Sequence, residues 1–222
     1  MSKSILERPI YTVMKYVYYF FLINFYFIMC NILFIIVFYL ANFVFENILL
    51  FYFTLIPMGP SITAVLSSMG KLVREKEINP TLDYFKAYKE NLIPTLKYWL
   101  IQLTVLLILA IDIFYSINRS NILSPVFLIL IIVCLFIMLY AFPIISRFEV
   151  KIKNLFLVSI YANFRFLKVT LINASTLVAF GLIYWTFPSL STLFSISLIG
   201  FFVMYNLEDP LNDLESELSK DS

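Results

Sequence analysis

Residues 169–207 read VTLINASTLVAFGLIYWTFPSLSTLFSISLIGFFVMYNL and contain no Asp, Glu, Lys or Arg. As one straight helix these 39 residues would measure about 58 Å, nearly twice the ~30 Å hydrocarbon core of a bilayer. Pro188, followed by Ser189 and Ser191, supplies a break near the middle. Tyr184, Trp185 and Phe187 cluster beside it as an interfacial aromatic belt does. The run therefore reads as two spans, about 168–186 and 190–207, joined by a short turn.

The same ruler applies to the rest of the chain, because a charge at mid-bilayer costs about 2.5–3.5 kcal/mol on the mildest scale. Residues 16–45, 47–70 and 120–146 carry no charge, and 98–118 carries only Asp112. Each is long enough for one crossing, which predicts spans at about 16–42, 48–70, 98–118 and 122–146. Six spans place fifteen of the sixteen Lys and Arg residues on one side, Arg119 being the exception. By the positive-inside rule that side is cytoplasmic, so both termini are expected there. Lys3, Arg8 and Lys15 precede an apolar run far longer than a signal-peptide core, and no A-x-A cleavage site follows. An uncleaved first helix is expected.

Composition agrees. Of 222 residues, 62% are hydrophobic and 14% charged, against about 45–50% and ~25% in soluble domains. Mean hydropathy is +0.92. A water-soluble globular enzyme and a disordered chain are both excluded. The absence of histidine removes His-based acid–base catalysis and His metal sites. Cys30 and Cys134 lie in apolar runs and read as small hydrophobes rather than a disulfide. No cofactor is expected, and nothing points to nucleic acid: there is no glycine-rich phosphate loop and no basic patch interleaved with aromatics.

Four segments stand out. Pro57-Met58-Gly59-Pro60 interrupts the second apolar run, and the two prolines cannot donate to the carbonyls of Phe53 and Ile56. Beyond the break, Ser61, Ala64 and Ser68 form a small-residue stripe suited to close helix contact. Two readings stay open: a kinked, tightly packed helix, or a discontinuous helix lining a substrate path. Asn79-Pro80 is an N-cap followed by proline at the first helical position, opening an amphipathic helix over 80–93. Leu82, Phe85, Tyr88 and Leu92 form its apolar face, with Asp83, Lys86 and Glu90 opposite. It is expected in the cytoplasmic interface, either resting on lipid or meeting a partner through Phe85, Lys86, Tyr88 and Lys89. Arg147 and Glu149 close the fourth span beside Pro143, as an interfacial anchor or as a cytoplasmic ion pair. Asp112 sits near the outer end of the third span with Arg119 two turns on. The acidic tail, 208–222, is expected to be solvated and mobile.

Leu55-Ile56-Pro57-Met58-Gly59-Pro60-Ser61-Ile62-Thr63-Ala64, then a basic stretch, then Asp83-Tyr84-Phe85-Lys86-Ala87-Tyr88-Lys89-Glu90-Asn91, resembles the YesL-like family of bacterial integral membrane proteins, domain of unknown function 624. Phe142-Pro143 through Phe148-Glu149, followed by Lys153-Asn154, is similar to that family's second signature. The resemblance implies a single membrane domain over 1–207 in the bacterial plasma membrane. Because family members are commonly encoded beside ATP-binding-cassette (ABC) carbohydrate-uptake systems, it also implies an accessory or assembly role in sugar import. Permease or ATPase subunits would then be partners besides the lipid bilayer. The permease coupling pattern of Glu-Ala-Ala with a glycine is missing, so a permease subunit is not expected. The alternative is a small-solute transporter using the broken second helix. The oligomeric state is left open.

Overall fold

The computed structural model describes residues 9–42, 44–116 and 123–218, and every regular element among them is helical. The helices are α1 (Pro9–Cys30), α2 (Ile32–Leu40), α3 (Ile48–Thr54, after a 3-10 turn at Phe45–Asn47), α4 (Met58–Glu75), α5 (Pro80–Glu90) and α6 (Leu92–Ser116). They continue as α7 (Leu123–Arg147), α8 (Ile152–Arg165), α9 (Leu167–Thr186), α10 (Pro188–Asn206) and α11 (Glu208–Leu218). Four helices, α1, α6, α7 and α9, are long and apolar enough to cross a membrane, and the number rises to six if each of two bent pairs is one span. The pairs are α3–α4, bent by 45°, and α10–α11, bent by 54°. A multi-pass helical membrane protein is thus the architecture. Large apolar side chains turned outward on α7 and α9, such as Ile129, Leu128, Val178 and Leu182, suit a lipid-facing surface.

The middle of the bundle is α4. Twelve of its residues are buried, and α1, α5, α6, α7 and α10 all pack against it. One apolar cluster joins Ala64, Val65, Met69 and Leu72 of α4 to Tyr19, Ile23 and Phe27 of α1 and to Tyr84 and Ala87 of α5. A second joins Leu66 and Val73 to Tyr98, Trp99 and Leu103 of α6, Phe142 and Ile145 of α7, and Met204 and Leu207 at the end of α10.

Several boundaries differ from the sequence reading. The span expected at 16–42 is interrupted at Asn31, which is buried and donates its side-chain amide to Phe27 O at 2.8 Å. That local bond competes with the regular helix, and α2 beyond it buries no residue. The segment after Arg147, read as loop, contains α8, with Leu155, Ser159 and Ala162 buried along one face. The largest correction is the tail: residues 208–218, expected to be mobile and solvated, form α11, with Leu211 and Leu214, and Leu207 just before them, almost wholly buried. Fully burying an apolar side chain of this size stabilises by roughly 1.5–3 kcal/mol, enough to hold a short helix against the bundle.

Candidate functional site: the broken helix and the α5 surface

At the break between α3 and α4 several carbonyls find donors outside the regular helix pattern. Ile56 N donates to Phe53 O at 3.4 Å, and Ser61 Oγ donates to Pro57 O at 2.8 Å. Trp99 Nε1, reaching across from α6, donates to Leu55 O at 2.8 Å. Thr54 Oγ1 adds bonds to Leu50 O and Phe51 O. In a membrane, where water cannot satisfy freed carbonyls, such protein donors are what make a proline break tolerable. Gly59 is part of the same unit: a Cβ there would lie 2.5 Å from Trp99 Cγ, so only glycine lets the indole reach Leu55. Pro57 is half-buried, whereas Gly59, Pro60, Ser61, Ala64 and Ser68 are buried. Ala64 packs against α1 and α5 as the stripe requires, and Thr95 Oγ1 donates to Thr63 Oγ1 at 3.2 Å between α6 and α4.

Against this stripe stands Tyr84, which is fully buried although it belongs to the amphipathic helix. Its hydroxyl lies beside Cys30 and Ser61 without a well-directed hydrogen bond. Burial, then the Cys30 thiol, pushes the hydroxyl well above the ordinary tyrosine range, so it stays protonated. The α5 N-terminus is firmly made. Asn79 Oδ1 accepts from Leu82 N, and Asp83 Oδ2 accepts in return from Asn79 N at 2.8 Å, a reciprocal cap. Asp83 also pairs with Lys71 of α4 at 2.8 Å.

The inner face of α5 is therefore Pro80, Tyr84 and Ala87, rather than Leu82, Phe85, Tyr88 and Leu92. The helix is rotated because Tyr84 reaches the gap left by the small stripe on α4. Leu82 and Phe85 are left 67% and 46% exposed, beside exposed Lys86 and Lys89. Tyr88 is half-buried and stacks near Tyr84, ring centroids 6.4 Å apart. Phe85 leans on Tyr26 of α1 at 5.1 Å. Of the four predicted docking residues, three share an open surface and Tyr88 belongs to its support. The helix ends at Asn91, whose side chain donates to Ala87 O, and α6 begins at once, so residues 92–93 belong to α6.

The proposed Arg147–Glu149 pair is not formed. Arg147 bonds Glu215 at 2.5 Å and Asn212 at 2.6 Å on α11, while Glu149 is exposed. Arg147 is the last residue of α7 and Glu149 lies two residues beyond it, whereas the docked α11 brings Glu215 to the arginine. Arg165, at the end of α8, pairs with Glu217 at 2.6 Å. A cleft of about 720 Å³ lies between the α7–α8 turn and α11, lined by Arg147, Lys151, Asn154 and Glu215. Arg165 had not been singled out, and the acidic tail had been read as mobile; the missed signal was Leu207, Leu211 and Leu214 at helical spacing. Asp112 is half-buried in α6, and Arg119 lies outside the described residues. Cys30 and Cys134 are free thiols. Among the described residues no three Cys, Asp or Glu side chains are grouped to hold a metal ion.

Residues 20–113 match a family model described as "Protein of unknown function, DUF624", which covers the second half of α1, α2 to α5 and most of α6. Neither the curated proteins nor the solved structures contain a match to the chain.

Proposed function

We propose that the chain, whose residues 20–113 match the DUF624 family model, is a non-enzymatic membrane accessory or assembly protein. It offers the outer face of α5 to a partner in the bilayer, and the family context makes that partner a permease or ATPase subunit of an ABC-type carbohydrate-uptake system. One observation carries the reading. α5 is anchored from within by Tyr84, Ala87 and the Asp83–Lys71 bond, yet leaves Leu82, Phe85, Lys86 and Lys89 turned outward. A rigidly held helix with two exposed apolar side chains flanked by lysines is a surface a groove or an acidic partner can read.

The proposal includes six crossings with both termini, α5, α8 and α11 at the cytoplasmic face of the plasma membrane. Contacts support it. Lys15 bonds Glu77, Arg74 lies within electrostatic reach of Arg147 and Glu215, and Arg147 and Arg165 bond α11. The amino-terminal segment, both basic loops and the acidic helix thus meet at one end. Against the transporter alternative, Phe53 O accepts from Ile56 N, and the neighbouring Leu55 and Pro57 carbonyls accept from Trp99 and Ser61.

Co-purification from native membranes in mild detergent tests the proposal. The tagged protein should carry transporter subunits with it, and Leu82→Asp with Phe85→Asp should release them while the melting temperature stays within a few degrees. Solitary purification, with sugar uptake unchanged on deletion, would refute it. Reporter fusions at Lys86 and Lys151 on opposite faces would refute the topology.

A further inference from the structure

Residues 151–168 read KIKNLFLVSIYANFRFLK and hold four cations with no acid among them. They supply α8 and the start of α9, and both helices that α8 joins, α7 and α9, are long and apolar enough to cross a membrane. α8 itself has 14 residues, too few to span. It is held from within: Leu155, Ser159 and Ala162 are buried, and Asn163 Nδ2 donates to Phe136 O of α7 at 2.9 Å. A second apolar stripe is left on the outside. Leu157, Ile160, Tyr161 and Phe164 recur at i, i+3, i+4 and i+7 and are between 42% and 77% exposed.

The charges at the ends of the stripe point to what covers it. Lys153 stands one turn before Leu157 on the same face, and Lys168 follows Phe164 by four residues, past Phe166, where the backbone leaves the helical conformation. Both lysines are exposed, and neither takes part in an ion pair among the described residues. The other two cations face acids: Arg165 bonds Glu217, and Lys151 shares a cleft with Glu149 and Glu215. Aromatic and aliphatic side chains between two unpaired lysines match the headgroup–acyl boundary of a bilayer, where rings pack among the upper chain carbons and ammonium groups reach phosphates. A zwitterionic headgroup carries its own cation beside the phosphate, so the complementary lipid is a net anion. A second copy of the chain pressed on the same stripe would set lysines against lysines, which disfavours self-pairing.

We propose that the outer face of α8 is a binding surface for anionic phospholipid, with the apolar stripe lying in the leaflet and Lys153 and Lys168 bonding headgroup phosphates. The surface is separate from that of α5 and does not rest on the accessory reading.

Tryptophan quenching in nanodiscs of equimolar phosphatidylglycerol and phosphatidylcholine tests it, with bromine on the chains of one lipid or of the other. Phe164→Trp in a Trp185→Phe background reports the α8 face. Unaltered Trp185, 87% exposed near the opposite end of α9, is the control, and Trp99 is buried in both proteins. Brominated phosphatidylglycerol should quench the Phe164→Trp protein about twofold more than brominated phosphatidylcholine does. That lead should vanish on adding Lys153→Gln with Lys168→Gln, and shrink when salt is raised. Trp185 should show no preference. Thermal melting checks each fold, and Leu157→Trp replaces the reporter if Phe164→Trp does not fold. Equal quenching by the two lipids, the same lead at Trp185, a preference that survives both lysine substitutions, or a reporter that neither lipid reaches, as under a second copy or a protein partner, would each overturn the proposal.

Discussion

Gly59→Ala adds a single methyl group, and its consequence can be worked from the geometry. The new Cβ would stand 2.5 Å from Trp99 Cγ and 2.7 Å from Trp99 Cβ and Cδ1. Carbon atoms sit comfortably at about 3.5–4.0 Å, so the indole would have to retreat by about 1 Å. Those atoms are the root of the side chain, not a flexible end, and their retreat breaks the 2.8 Å bond from Nε1 to Leu55 O. Overpacking of this kind costs roughly 1–3 kcal/mol, and leaving the buried indole N–H unpaired a further ~1–3, since Leu55 O keeps its bond from Met58 N. Alanine's helix propensity returns about 1 kcal/mol, leaving a net loss of roughly 1–5. Gly181→Ala in α9 is the control: nothing lies within 4 Å of its added Cβ, so only the propensity gain remains. The two substitutions should therefore move the thermal midpoint in detergent in opposite directions. In a Trp99→Ala background the Gly59→Ala penalty should largely vanish, because the pair is coupled through one contact. Gly59→Ala as stable as the wild type, or equally costly without the indole, would refute this account of the break.

Two further predictions concern α11 and Tyr84. Glu215→Gln with Glu217→Gln removes two partly exposed ion pairs, each worth about 0.2–1 kcal/mol, and should leave the tail protected from protease at moderate salt. Leu211→Asp places a charge in the core and should expose the tail to cleavage; equal protection in both variants would count against apolar docking. Tyr84→Phe deletes a buried hydroxyl that has no directed hydrogen bond, so stability should hold or rise, whereas Tyr84→Ala should cost about 3–5 kcal/mol. A large loss in Tyr84→Phe, measured by thermal melting, would mean the hydroxyl is satisfied after all.

Charge placement and apolar run length, which are one-dimensional quantities, carried most of the architecture. Residues 169–207 had to be two segments because a bilayer is too thin for one, and they are α9 and α10, divided at Pro188. The cap at Asn79, the proline break at Pro57 and the burial of Ser61, Ala64 and Ser68 were legible for the same reason, since each is a local chemical rule. The outer face of α5 was legible only in part. Its amphipathicity was visible, but spacing alone made Tyr88 an outer residue and gave Tyr84 no role.

What residues meet across the bundle was decided in three dimensions. Arg147 chose Glu215 over nearby Glu149 because a tail with three leucines on one face docks beneath α7. Tyr84 turned inward because the small stripe on α4 leaves room that no neighbour in sequence could reveal. Trp99 closes the break from 44 residues away, and only because Gly59 lacks a side chain. Hydrophobicity and charge are properties of each residue and can be read singly. Complementarity of shape and the pairing of freed polar groups are properties of pairs, and these exist only once the helices are packed.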